Sequence, residues 1–256
     1  MGIVQAIGRA LSLTQGKTMQ GPEENFDSPA AKKIAAAIAA GEAGRVKTLL
    51  TTTDVQPDLI GKNGLTFLSI AILANRKEAF ETLIELGAVG DPEGKAAGHT
   101  MYNATMVSNI SWLQGLLKAG ASLDGFGGGN RLIVQAMNSR IKGRLDYYLD
   151  NGANIDGESN LGGTAALTAA RNQQFETVND LLDRGASIWA MDKLGGTIGY
   201  HAEAAGKLPT WKVGGPHDKQ RVRILDRLKK AGFPSPAPAP KVGIELKKNL
   251  QWPPKK

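Results

Sequence analysis

The stretch that decides the fold is GGTAALTAARNQQFETVNDLLDRGASIWAMD, which runs from Gly162 to Asp192. A Gly-Gly-Thr turn opens it, and the small and apolar residues that follow favour a helix over Ala165–Asn172. The polar pair Gln173-Gln174 interrupts that helix, and apolar periodicity resumes in a second helix over Phe175–Asp183. Gly185 closes the second helix and precedes a short run that we expect to form a hairpin. The stretch therefore predicts one helix-turn-helix unit.

The same unit recurs along most of the chain. Its marker is a glycine at the end of the second helix, found at Gly87, Gly120, Gly152, Gly185 and Gly232. The first four glycines are spaced by 33, 32 and 33 residues, and the fifth follows after 47. One fixed position of the first helix is always small, which lets neighbouring helices approach closely: Ala37, Ala71, Ala104, Ala136 and Ala169. A constant period of this length predicts a stacked array of repeats.

The period and the order of turn, helix, turn and helix resemble those of the ankyrin repeat. The resemblance covers residues 29–236, or about six units. The family's Thr-Pro-Leu-His opening is not intact, because Thr66–Ser69, Arg131–Val134 and Thr164–Leu167 stand in its place. The histidine of that opening bonds across the turn, so these turns must be held by other contacts. The resemblance implies an all-α ankyrin-repeat solenoid of about six stacked helix-turn-helix units with short hairpin loops.

Departures from the period divide the chain into three parts. Residues 1–28 form an N-terminal extension, residues 29–236 the repeat domain and residues 237–256 a Pro-rich basic tail. The repeats are expected at about 29–60, 61–94, 95–127, 128–159, 160–192 and 193–236.

The sixth repeat and the tail depart most from the pattern. An insertion, GKLPTWKVGGPH from Gly206 to His217, accounts for the 14 extra residues of the sixth repeat. We expect the prolines of residues 234–241 to form a stiff extended linker. The alternating apolar residues Val242, Ile244 and Leu246 favour docking of the tail as a short strand or turn.

Composition and charge limit the classes of function. The 256 residues are 41% hydrophobic, contain no cysteine and carry a net charge of +7. No apolar run approaches the roughly 18 residues of a membrane span, so we expect no stable membrane insertion. Residues 240–256 hold five lysines against one glutamate, and the remaining charges are mixed, which argues against a nucleic-acid partner. The N-terminal segment MGIVQAIGRALSL lacks a clear secretory signal, so the cytoplasm is the default, with a processed periplasmic form as the alternative.

Residues that could carry chemistry are scattered. His99, His201 and His217 have no metal-ligand spacing, and we expect no metal and no cofactor. The glycine-rich run Gly125–Asn130 lacks the lysine of a phosphate loop and is interpreted as a turn between repeats. Acids interrupt the basic residues of the last repeat helix. This mixture indicates a solvated helix that caps the end of the array. We therefore predict that the chain is not an enzyme.

A partner protein is the remaining class of ligand. Stacked repeats present a concave face lined by their turn tips and first helices. The residues expected there are Leu73, Met106, Asn138 and Arg171 on first helices, and Phe126, Trp189 and Met191 on or near turn tips. Methionine, arginine and aromatic side chains are those that anchor interfaces. Packing within the array is the alternative for Phe126, Trp189 and Met106.

Trp211, within the insertion, has two equal interpretations. A tryptophan on a long loop bounded by glycine and proline either packs on its own repeat or meets a partner.

The resemblance also implies a function. Divergent bacterial ankyrin proteins include immunity proteins, which neutralise secreted toxic effectors such as phospholipases of type VI secretion by covering their active sites. By resemblance, we favour an inhibitor that is monomeric when free and grips one protein partner, and the positive surface suits an acidic one. The alternative is an adaptor or regulatory scaffold that bridges several partners.

Overall fold

The structure is a computed structural model that describes residues 21–90 and 99–254. The predicted features of residues 1–20 lie outside this range. The chain divides into two compact units, residues 1–148 and 149–256, and each is described by itself.

The first unit is built from antiparallel helix pairs. A 3-10 helix, Pro22–Asn25, precedes them, and a two-stranded antiparallel hairpin of β1 (Phe126–Gly127) and β2 (Asn130–Arg131) interrupts them. The helices are α1 (Pro29–Ala40), α2 (Ala43–Thr52), α3 (Phe67–Leu73), α4 (Lys77–Glu85), α5 (His99–Met106), α6 (Ser111–Lys118), α7 (Leu132–Asn138) and α8 (Arg144–Asp150), which ends two residues into the second unit.

The second unit continues the pattern. Its helices are α9 (Ala165–Arg171), α10 (Phe175–Asp183), α11 (Ile198–Ala205), α12 (Pro216–Lys230) and α13 (Pro240–Lys248). The predicted repeat of helix, turn and helix is thus confirmed. The hairpin expected after Gly185 is reduced to one antiparallel bridge between Met191 and Thr197.

Threonine caps hold the turns that lack the family's histidine. The Oγ1 atoms of Thr66, Thr164 and Thr197 each accept the backbone N–H three residues later, at 3.1, 3.2 and 3.1 Å. Each hydroxyl satisfies one of the N–H groups that a helix start leaves unpaired. The prediction that other contacts replace the histidine is confirmed at Thr66 and Thr164, whereas Arg131, at the third of the turns named above, supplies no side-chain cap.

The repeat glycines and alanines take the places predicted for them. Gly87 and Gly185 end their helices in the left-handed region, each with φ of 93°, where a Cβ would be strained. The small residues of the first helices are all buried: Ala37, Ala71, Ala104, Ala136 and Ala169. The position predicted to be small is therefore buried in each of these first helices.

Successive turn tips are joined by backbone hydrogen bonds. In the first unit the N–H of Lys62 donates to the carbonyl of Asn25 at 2.7 Å. In the second unit the N–H of Lys193 donates to the carbonyl of Leu161 at 2.8 Å. The tips at Lys62 and Lys193 thus each lie directly against the segment one repeat earlier.

The tail differs from its prediction. Residues 240–248 form α13 rather than a strand or turn, with Pro240 in its first turn and Lys247 and Lys248 in its last. Proline has the φ that a first helical turn needs, and lysines favour the carboxyl end of the helix dipole. Ahead of α13, the N–H of Ala237 donates to Glu203 at 2.9 Å, so the linker also contacts the sixth repeat.

Candidate partner-binding surface

Three of the predicted surface residues share one position in the first unit. Leu73, Met106 and Asn138 are the last residues of α3, α5 and α7, and α5 packs against both α3 and α7. Met106 and Asn138 are exposed, and Leu73 is half-buried. The first unit therefore presents these side chains in a row along the carboxyl ends of its first helices, which we call the helix-end row.

Arg171 takes the same position in the second unit, as the last residue of α9, and it is exposed. Arg171 lies close enough to His201 on α11 for its charge to change the pKa of that histidine. Burial is the main cause that lowers the pKa of His201, the charge of Arg171 lowers it further, and Asp192 opposes both. The Nε2 atom of His201 is buried without a hydrogen-bond partner. The neighbours of His201 come from other parts of the chain, so sequence patterns alone could not single it out.

Phe126 lies on the hairpin of the first unit and is half-buried. The guanidinium carbon of Arg131 lies 4.1 Å from its ring centroid, a cation–π contact. Gly128 and Gly129 have φ of 56° and 79°, as a tight two-residue turn requires. The interpretation of the glycine-rich run as a turn is confirmed, and the contact with Arg131 supports the packing alternative for Phe126.

Met191 lies beside a turn tip, as expected, but its side chain is buried, so the prediction that it faces a partner is wrong. Only 3% of it is exposed, and its backbone forms the bridge with Thr197. Its terminal methyl lies against Gly243 of α13, 3.1 Å from where a Cβ would stand. The side chain is covered because the tail forms a helix over it.

Trp189 packs against the segments that follow the sixth repeat. Its ring stacks on Phe233 at 5.2 Å and meets the edge of Trp252 at 5.8 Å. The indole N–H of Trp252 donates to the backbone carbonyl of Trp189 at 2.8 Å. These contacts support the packing alternative for Trp189.

Trp211 packs within the array, against its own repeat and the repeat before it. Its ring meets the edge of Phe175 at 5.8 Å and lies 5.2 Å from the ring of His217. Its indole N–H donates to Asp218 at 2.8 Å, so the polar atom of the side chain is used internally. Of the two interpretations of Trp211, the structure favours packing.

Asp218 organises the insertion, and the sequence did not single it out. Its buried carboxylate accepts hydrogen bonds from the N–H of Gly214, the indole of Trp211 and the guanidinium of Arg221, each at 2.8 Å. These donors, in the order Gly214, Trp211 and Arg221, lower the pKa of Asp218 from 3.8 to about 2. A carboxylate that accepts several hydrogen bonds is held in its charged form.

The basic cluster of α12 is paired with an acid. Arg223 donates to Asp183 of α10 at 2.9 Å, and Arg227 donates to the other oxygen of the same carboxylate. A hydrogen bond from Arg227 is the main cause that lowers the pKa of Asp183. An open cavity of about 650 Å³ beside these residues is lined by both lysines and aspartates. This mixture of charges supports the interpretation of α12 as a capping helix.

The part of the chain that the structure describes contains no group of three or more histidines and acids placed to hold a metal ion. None of its helices is long and apolar enough to cross a membrane.

Neither a protein-family model nor a curated protein sequence matches the chain. Solved structures do. The chain is similar to the ankyrin repeat domain of Bcl-3, a member of the IkappaB protein family, with 19% identity and a TM-score of 0.58 over 87% of this chain and 98% of that one. It is also similar to the ankyrin repeat protein EF0377, with 22% identity and a TM-score of 0.59 over 76% of this chain and 96% of that one.

A third similar structure is a complex. The chain resembles one chain of the predatory endopeptidase Bd0816 from Bdellovibrio bacteriovorus bound to the immunity protein Bd3460, with 20% identity and a TM-score of 0.54 over 75% of this chain and 97% of that one. Together with the helix pairs described above, these likenesses show that this chain has the ankyrin-repeat fold.

Proposed function

We propose that the chain is a non-enzymatic protein-binding scaffold that holds one specific partner against its helix-end row. The observation that carries the proposal is the exposure of Met106 and Asn138 at equivalent ends of two packed helices. An exposed methionine on a rigid helix can bury its whole side chain in a partner without ordering a loop. Leu73 adds apolar area beside Met106 on α3.

Within this function, we favour an immunity protein that covers the active site of a toxic secreted effector, such as a phospholipase. Two observations support it. One of the structures with this fold is a complex of an endopeptidase with an immunity protein. The net charge of +7 suits an acidic partner, because opposite charges speed association and suppress binding to other basic proteins.

The test is affinity capture with the full chain, followed by calorimetry with the purified partner. An inhibitor binds one partner tightly at a ratio of one to one, whereas an adaptor binds several partners weakly. In the calorimetric arm, Met106→Glu places an unpaired charge in the interface and weakens binding about 100-fold. A matched control is Thr51→Glu, which adds the same charge on an exposed site of α2.

Equal affinities of the wild type and Met106→Glu would show that the partner binds elsewhere. A wild-type chain that captures no saturable partner would refute the scaffold function itself.

A further inference from the structure

The turn that joins α7 to α8 carries exposed basic side chains beside the helix-end row. We call this turn, residues 139–143, the cationic turn. Arg140 and Lys142 are both exposed there. In the part of the chain that the structure describes, neither of them makes an ion pair. Single surface cations are common, so the surroundings decide whether these two mark a binding site.

A contact between two turns places the cationic turn beside Met106. The guanidinium of Arg144, the first residue of α8, donates from Nη2 to the carbonyl of Val107 at 2.6 Å. Val107 directly follows Met106, so the turn that ends α5 lies against the turn that ends α7. Consecutive Cα atoms are about 3.8 Å apart, so the Cα of Arg140 lies within about 8 Å of that of Asn138. The cationic turn therefore flanks the part of the helix-end row that Met106 and Asn138 form.

The backbone of the cationic turn is held in one shape. The hydroxyl of Ser139 accepts the N–H of Ile141 at 3.2 Å. Arg140 has a φ of 58°, in the left-handed region, and Asn75 takes the equivalent place after α3 with a φ of 54°. Asparagine is one of the few residues that tolerate this region, whereas arginine is strained there. A strained arginine that makes no ion pair within the described chain points to a contact outside it.

Acidic side chains are scarce around the cationic turn. Residues 99–145 contain five lysines and arginines against a single acid, Asp124, which precedes β1. The nearest acid in the sequence is Asp146, in the first turn of α8. Arg144 adds a third positive charge, and its Nε and Nη1 atoms are buried without a hydrogen-bond partner. Helix dipoles change this balance little, because each turn joins the carboxyl end of one helix to the amino end of the next.

We propose that the cationic turn and Met106 together bind an acidic, partly apolar segment of the partner protein. The inference rests on the proposed function and names the chemistry of the surface that the partner presents. An arginine holds a carboxylate through two parallel hydrogen bonds, and a lysine holds it as a point charge, so Arg140 and Lys142 suit two such groups. The charge of Arg144 favours an anion nearby, because water screens a buried charge only weakly.

Nucleic acid fits this surface less well than an acidic protein segment does. Proteins that hold single strands combine many cations along a groove with aromatic rings on which the bases stack. Residues 106–110 and 138–144 contain no aromatic side chain. The exposed methionine beside the two cations suits a segment in which carboxylates alternate with apolar side chains.

Amide NMR spectra of the full chain, titrated with two short synthetic peptides, test the proposal. One peptide alternates glutamate with leucine, and its twin has glutamine in place of every glutamate. The glutamate peptide should shift the amide signals of residues 106–110 and 138–144, and the glutamine peptide should bind about tenfold more weakly. Raising the salt concentration from about 50 mM to about 500 mM should weaken binding of the glutamate peptide by a similar factor.

A double variant separates the cationic turn from the net charge of the protein. Arg140→Asn/Lys142→Gln removes both exposed cations and places at position 140 the residue type that Asn75 has in the same backbone conformation. It should bind the glutamate peptide about tenfold more weakly than the wild type. Lys229→Gln/Lys230→Gln removes two exposed charges from α12 and should bind as the wild type does. Circular dichroism of all three proteins checks that the fold is intact.

Four results would overturn the proposal. The first is a glutamate peptide that binds no better than its glutamine twin, and the second is a set of shifted signals on α12 or the tail instead of the cationic turn. The third is equal affinity of Arg140→Asn/Lys142→Gln and the wild type for the glutamate peptide. The fourth is tighter binding of an oligothymidylate of equal charge, which would assign the turn to nucleic acid.

The capture experiment distinguishes failure of this inference from failure of the proposed function. A captured partner that binds Met106→Glu weakly, but binds Arg140→Asn/Lys142→Gln as tightly as the wild type, would leave the function standing and refute the acidic contact. Failure to capture any saturable partner would refute the function, whereas the peptide titrations would still decide the chemistry of the cationic turn.

Discussion

The indole N–H of Trp211 donates a 2.8 Å hydrogen bond to the buried carboxylate of Asp218. The same carboxylate accepts the N–H of Gly214 at 2.8 Å, so one acid at the start of α12 holds two points of the insertion before it. This relationship explains how a glycine- and proline-rich loop is fixed without a regular element of its own. It also changes what substitution of Trp211 should do.

Replacing Trp211 with alanine should destabilise the protein. The substitution removes the ring contacts with Phe175 and His217, and loss of aromatic contacts of this kind costs about 1 kcal/mol. Urea denaturation monitored by circular dichroism measures the change in the free energy of unfolding. Trp211→Phe is the matched control, because it keeps a ring and loses the hydrogen bond to Asp218. An unchanged midpoint combined with weaker partner binding would show instead that Trp211 meets the partner.

Acid should weaken the folded state through Asp218. Its pKa lies at about 2 in the folded protein against an ordinary value of 3.8. A lowered pKa gives stability that is present above pH 3.8 and is lost as the pH falls through 3.8 towards about 2. The free energy of unfolding of Asp218→Asn should therefore change less than that of the wild type across this window. Parallel curves for the two proteins would contradict the assignment.

His201 should add a second pH dependence at milder acidity. Burial lowers its pKa below the ordinary value of 6.5, so the unfolded chain takes up the proton first. The contribution of His201 is present above pH 6.5 and declines as the pH falls from there towards its folded pKa. Denaturation curves of the wild type should show this decline, and those of His201→Gln should not. Identical pH profiles would mean that the histidine is not held neutral by its surroundings.

Replacing Gly243 with valine should displace α13. A Cβ at this position would lie 2.6 Å from the carbonyl oxygen of Gly195 and 3.1 Å from the terminal methyl of Met191. The backbone oxygen cannot give way as a side chain can, so the helix must move. Limited proteolysis should cleave the tail of Gly243→Val faster than that of the wild type. Val242→Ala alters an exposed neighbour on the same helix and should leave the cleavage rate unchanged.

The fifth repeat shows how much of the fold could be predicted from the sequence. Its helices were expected over Ala165–Asn172 and Phe175–Asp183, and the structure has them over Ala165–Arg171 and Phe175–Asp183. The signals were local: a Gly-Gly-Thr turn, small residues at one position and a closing glycine. The same period also predicts that the last residues of successive first helices take equivalent places, because stacking of repeats brings equivalent positions together.

Met191 and the tail could not be predicted in the same way. Nothing near Met191 in the sequence indicates that Gly243, about 50 residues later, covers it. The alternation of Val242, Ile244 and Leu246 favoured a strand, but Pro240 and the lysines at the other end suit a helix. What decides between the two is the fit of Gly243 against Gly195, and such a fit exists only in the folded protein.

The backbone contact between Gly195 and Gly243 also limits growth of the array. The tip at Leu161 offers its carbonyl to the tip that follows it, at Lys193. At the sixth repeat, α13 lies against Gly195 instead of a further turn. A seventh repeat, or the end of another copy, could stack there only by displacing α13. The tail helix therefore occupies the place against Gly195 that the turn tip of a further repeat would take.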